Sequence, residues 1–165
     1  MTGIIVHEWL ERFGGAENVV DRFAALYPGA PIQALWNDAP GRFSPARVHE
    51  TWLARTPLRR WKALALPFQP QTWRHLGVED AEWIVCSSHL FAHHARFAGP
   101  ARDAPKHVYV HTPARYIWNP ELDERGSSAV VRAAAPALRA IDRTRAAEAA
   151  SIVANSIAVR DRIRE

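Results

Sequence analysis

Short apolar runs alternate along this chain with longer stretches of three- and four-residue periodicity, and the alternation predicts most of its elements. Gly3-Ile4-Ile5-Val6-His7 is apolar at odd and even positions alike, as suits a central parallel strand covered on both faces. After a turn containing Gly14-Gly15, the residues Ala16, Val19, Val20, Phe23, Ala24 and Tyr27 recur at helical spacing until Pro28-Gly29 stops them. Residues 31–36 read as a second strand and 47–53 as a weaker third. Residues 57–77 are helical in composition but hold Pro67 and Pro70, which predicts two short helices with a break. Residues 83–88 are a strand, with Ser88 placed to cap a helix starting near His89. Residues 106–111 are another strand. An Ala- and Arg-rich helix covers 127–150, with Val131, Ala134, Leu138, Ile141 and Arg145 on one face and Pro136 inside. A last strand, 151–156, leads into a helix at 157–165. Strand and helix in repeated alternation define an α/β fold with a parallel sheet.

Composition narrows this little. The 165 residues suit one domain able to bury about 70% of its unfolded surface. The single cysteine, Cys86, excludes an intrachain disulfide and a thiolate-based zinc site, and predicts a reducing, cytoplasmic setting. The first residues do not read as a signal peptide, and no apolar stretch approaches the roughly 20 residues of a membrane span. Charge is more telling. The net charge is +4, yet residues 51–78 hold Arg55, Arg59, Arg60, Lys62 and Arg74 and no acidic residue. That basic window also carries Trp52, Trp61, Phe68 and Trp73, so it reads as a surface for an anionic membrane or as an amphipathic stretch with its apolar side in the core. Arg59, Arg60, Trp61 and Lys62 are its candidate contact residues. A nucleic-acid partner rests on charge alone and is not expected.

Three segments at expected strand ends carry candidate chemistry, and ligands of such folds bind outside the carboxyl ends of the strands. Gly14-Gly15 at the start of the first helix lets a ligand approach the backbone and a helix N-terminus, or simply makes a tight turn. Glu17 either orients a ligand hydroxyl or favours the positive end of its helix. His111, closing a buried strand before Thr112-Pro113, can donate to a hydroxyl or move a proton, with Arg115, Tyr116 and Trp118 close behind. Asn155-Ser156 is first of all a helix cap. His89, His93 and His94 have no carboxylate or cysteine near them in sequence, so no metal site is expected.

Taken together, His7-Glu8-Trp9-Leu10, Gly14-Gly15-Ala16-Glu17, His111-Thr112-Pro113-x-Arg115-Tyr116-x-Trp118 and Val153-Ala154-Asn155-Ser156-x-x-Val159-Arg160 resemble the amino-terminal half of a retaining, GT-B-fold glycosyltransferase of family 4, in particular bacterial mannosyltransferase-like members that build surface polysaccharides. The resemblance runs from residue 4 to the end. It implies a Rossmann-like, doubly wound parallel sheet as one half of a GT-B architecture, with residues 1–165 as the acceptor-side domain and the donor domain absent from this chain. It implies transfer of a sugar such as mannose, with retention, from a nucleotide-diphosphate sugar to a glycan or lipid-linked acceptor, without a cofactor. No activity is expected of this chain alone. By the resemblance, Gly14 and Gly15 approach the donor phosphates and acceptor, and His111 contacts the donor sugar near the reacting centre. Arg115 and Tyr116 line the acceptor side, and Asn155 and Ser156 stand beside the hinge. Glu8 departs from the Asp common in relatives, and Val110 from their Cys. A lipid-linked acceptor would put the basic window at the inner face of the cytoplasmic membrane. The alternative from another class is a non-catalytic Rossmann-like module that binds a sugar or phosphate, or docks on a partner.

Overall fold

Ile4 and Val6 point into one apolar cluster and Ile5 into another, because successive side chains of a strand face opposite ways. Their strand, β1 (Gly3–His7), is buried along its whole length. The computed structural model describes residues 2–118 and 129–164 and contains β1, β2 (Ile32–Ala34), β3 (Val48–Glu50), β4 (Trp83–Ser88), β5 (Lys106–Val110) and β6 (Ser151–Ala154). All pair in parallel, in the order β3-β2-β1-β4-β5-β6, the arrangement of a doubly wound, Rossmann-like sheet.

Helix α1 (Gly15–Leu26) crosses from β1 to β2 and buries Val20 and Ala24 against Ile5 and Ile32. The other face is covered by the basic window, by α5 (Ala129–Ala146) and by the turns after β4. Cys86 of β4 is enclosed there, and burial pushes its thiol up to about 12.

The window differs from its expected pair of helices. It is a string of single turns at Trp52–Arg55, Pro57–Arg60 and Leu66–Phe68, interleaved with α2 (Lys62–Ala65) and α3 (Gln69–Arg74). Pro57, Pro67 and Pro70 each stand in the first turn of a new piece, where a missing N–H costs least. Leu53, Ala65, Leu66 and Trp73 face the core, while Trp52, Trp61 and Leu64 are 52%, 56% and 60% exposed. The window therefore packs one side into the core and leaves an aromatic side exposed.

Two further expectations change. No helix starts at His89, where a lone turn at Ala92–His94 stands instead. The core face of α5 runs through Ala135, Leu138 and Asp142, and Ile141 is exposed. Ser127 lies outside the described residues, as does the side chain of Val131. The remaining helices are α4 (Arg115–Trp118) and α6 (Ile157–Arg164). Among the described residues no helix is long and apolar enough to cross a membrane.

Candidate functional site

The strand order reverses at β1: the chain moves outward to β2 and β3, then returns to β4 on the other side. A sheet of this kind opens a crevice beyond the carboxyl ends of the two strands at the reversal. His7 ends β1 opposite Ser87 of β4, and Ser88 pairs with Val110, so His111 emerges beside them. Its amide donates to the carbonyl of Ser88 at 2.9 Å.

Glu8 fixes the floor of this crevice. Its Oε1 accepts from the amides of His89 (3.0 Å), Leu90 (2.8 Å) and Ala92 (3.0 Å) and from the hydroxyl of Ser88 (3.2 Å). Its Oε2 lies 3.1 Å from Nδ1 of His89. Burial alone would raise the carboxyl's pKa. His89, His7 and the amides outweigh it and hold the group at about 2. One carboxylate thus does the work expected of a Ser88 cap, tying the end of β1 to the loop after β4.

A second chain of contacts runs towards the opening. His111 Nε2 lies 2.8 Å from the hydroxyl of Ser87. That hydroxyl lies 3.1 Å from Nδ1 of His7, which is also 3.0 Å from the Ser87 carbonyl. Nε2 of His7 lies 3.9 Å from Oε1 of Glu17. Burial pushes the His111 imidazole down to about 4, Glu8 and Glu17 offsetting only part of that effect, so the ring is neutral near pH 7. Burial raises Glu17, but the nearby His7 ring, its own amide and that of Glu11 outweigh it and hold the carboxyl at about 2.

Glu17 also explains the first glycine. A Cβ on Gly14 would come within 1.9 Å of Glu17 Oε2, so the carboxylate folded over the helix start occupies the space a side chain there would need. Gly14 is extended and unstrained. Gly15 has open space where its Cβ would be. Gly14→Ala is expected to expel the Glu17 carboxylate and to give up the stability its lowered pKa carries at neutral pH; return of Glu17 to the ordinary carboxyl range by NMR titration is the check.

An open cleft of about 330 Å³ collects these pieces, lined by Gly15, Ala16 and Glu17 on one side and by His111, Thr112 and Arg115 on another. Lys62 reaches in from the basic window, ion-paired with Glu11 and 4.5 Å above the ring of Trp9. Hence Gly15, Glu17, His111 and Arg115, expected from two separate segments, share one opening. Gly14 does not line it. The side chain of Tyr116 lies outside the described residues. Asn155 and Ser156 line a different concavity at the end of β6, where Ser156 Oγ accepts the Val159 amide at 3.2 Å as the cap of α6. Arg59 is ion-paired with Asp38, and Lys62 belongs to the cleft, which leaves Arg60 and Trp61 facing outward.

Sequence reasoning missed three participants. Ser87 is an ordinary serine within the strand 83–88, with nothing local to mark it. Glu8 acts on residues 81 to 84 positions away. Asp142 completes a set with His93 and His94 that looked incomplete: its Oδ1 lies 3.0 Å and 2.8 Å from their Nε2 atoms, and its Oδ2 accepts from Trp118 Nε1 at 2.8 Å. The only advance signal was Asp142 at helical spacing from Ala135 and Leu138.

His7, Glu8 and His89, and likewise His93, His94 and Asp142, bring metal-ligand atoms within 4.8 Å of one another. Hydrogen bonds account for only some of these atoms: Glu8 Oε2 and His89 Nδ1, 3.1 Å apart, are buried with no hydrogen-bond partner among the described residues. Nδ1, the His7 atom 3.9 Å from Glu8, donates to the Ser87 carbonyl, and Asp142 uses both oxygens on protein donors. The Asp142 group is a hydrogen-bonded polar network.

The fold and site define an α/β protein with a polar cleft at the reversal point of a parallel sheet. Comparison with protein-family models, with curated proteins and with solved structures finds no match.

Proposed function

We propose that this chain is the acceptor-side domain of a retaining glycosyltransferase that uses a nucleotide-diphosphate sugar, its donor half lying in a second domain. The observation that carries the reading is the meeting of His111 with the Gly15–Ala16 end of α1 in one cleft at the β1/β4 reversal. Sugar transfer from such a donor leaves a nucleoside diphosphate, whose growing negative charge needs fixed donors. The amides at the start of α1, Arg115 and Lys62 are donors of that kind on this side of the cleft. A neutral His111 suits contact with a sugar hydroxyl. Closure of the second domain would exclude water during transfer.

The test uses the full-length gene product with a panel of nucleotide sugars, reading bound donor by calorimetry and released nucleoside diphosphate by chromatography. Binding and release with one donor class support the reading. A folded full-length protein that binds no nucleotide sugar overturns it in favour of the partner-docking module. A reading frame continuing past residue 165 into a domain of similar size would favour the enzyme.

The acceptor belongs, in this reading, to a membrane surface. Trp52, Trp61, Leu64 and Phe68 are exposed together with Arg55 and Arg60, for which no ion pair occurs among the described residues. Sedimentation with anionic vesicles is expected to exceed that with neutral vesicles, to weaken with salt, and to fall at least several-fold in the Arg60→Glu/Trp61→Ala double variant. Equal binding to both vesicle types would exclude the electrostatic part of this proposal.

A further inference from the structure

We propose that Ser87 is a positioning residue that fixes His111 in the tautomer bearing its proton on Nδ1, so that the imidazole meets a ligand in the cleft as an N–H donor and not as a base. The argument begins one residue further in. Nδ1 of His7 lies 3.0 Å from the Ser87 carbonyl. A carbonyl oxygen only accepts, so that nitrogen carries a proton whatever the state of His7 Nε2. The same N–H is shared with the Ser87 hydroxyl oxygen at 3.1 Å. The hydroxyl oxygen is therefore already an acceptor, and its own hydrogen remains to be placed. The partner in reach is His111 Nε2 at 2.8 Å. Ser87 O–H thus donates to Nε2, and a neutral His111 must hold its ring proton on Nδ1.

The surroundings keep this direction. Ser87 and His7 are fully buried, so no bulk water competes for the hydroxyl. The carboxylates of Glu8 and Glu17 pull the ring towards protonation, His7 and His89 oppose them, Lys62 and Arg115 line the same cleft, and burial outweighs the carboxylates. Among the described residues no protein group takes Nδ1 of His111, which leaves it for a ligand. The atom it selects is an acceptor oxygen: a hydroxyl, phosphate or carboxylate oxygen. That this oxygen belongs to a donor sugar rests on the function proposed above; the tautomer does not.

The experiment is long-range proton–nitrogen NMR of the ¹⁵N-histidine-labelled protein at neutral pH, with His111 assigned by its disappearance in His111→Asn. The expected spectrum has His111 Nε2 as the bare, pyridine-type nitrogen and Nδ1 as the protonated, pyrrole-type one. In Ser87→Ala the two nitrogens move towards averaged values, and Ser87→Thr, which keeps a hydroxyl, restores the split. A protonated Nε2 in the wild-type spectrum overturns the proposal, and that spectrum suffices if Ser87→Ala does not fold. An unchanged split in folded Ser87→Ala overturns the role of Ser87. The expected split together with no nucleotide-sugar binding by the full-length protein leaves the tautomer standing and rejects the proposed function.

Discussion

Glu8→Ala is expected to lower the stability of the fold by about 3–5 kcal/mol, the usual result of removing one member of a buried charged set. The substitution would leave three amides and the Ser88 hydroxyl without their acceptor, in a place water does not reach. A domain of this size has only about 5–15 kcal/mol in hand, so the urea midpoint at neutral pH should fall by a large fraction of its value. Glu8→Gln, which keeps an acceptor oxygen but loses the charge, should fall less.

Acid should imitate the substitution in stages. His94 and His111 are held near 4, below the roughly 6.5 of an unfolded imidazole, so the unfolded chain takes up protons that the fold refuses. Their stabilising effect is complete above about 6.5 and gone by about 4. Glu8 and Glu17 are held near 2, below the roughly 4.3 of a free carboxyl, and their effect is lost between those limits. The urea midpoint should decline steadily from pH 7 to pH 3, and Glu8→Ala should flatten the lower part of that decline. A midpoint that rises on acidification would contradict the buried networks described above.

On the sugar transfer proposed above, His111→Ala in a protein carrying both domains should leave the fold intact and reduce kcat/KM by about 10²–10³-fold, as loss of one well-placed donor does. The ring is only half-buried, so circular dichroism should change little, while the orphaned Ser87 hydroxyl should cost about 1–3 kcal/mol of stability. His111→Asn sharpens the test, because its amide can offer an N–H near the place of Nδ1. As a donor mimic it should keep more activity than alanine. If the imidazole acted as a base, the two variants would be equally poor. A folded alanine variant with the wild-type rate would remove His111 from the chemistry altogether.

Much of this site could be read from the chain before its fold was known, and the limits of that reading have physical causes. β1, α1, β4 and β5 follow from local periodicity, and the placing of His111 and the glycine pair at strand ends follows from strand boundaries. What lay beyond reach were partnerships across the sheet. Glu8 meets amides more than 80 residues away, and Ser87 is chemically ordinary until two histidines face its hydroxyl. Local pattern also misled where prolines restarted the chain: residues 57–77 have the composition of helices, yet each proline begins a separate turn. Asp142 shows the opposite failure. A charged residue on a helix face argues for solvent until its partners, here His93, His94 and Trp118, are known.

Cys86 lies in β4, one residue before Ser87 and in register with Val6 of β1 and Val108 of β5. A thiol reagent can reach it only when the middle of the sheet parts, since the sulfur is fully enclosed. The rate at which the unaltered protein is labelled therefore counts excursions of the strands that carry the cleft. A molecule that binds the closed form should slow that rate in proportion to its own occupancy, which makes the protein's one sulfhydryl a built-in gauge for finding what it holds.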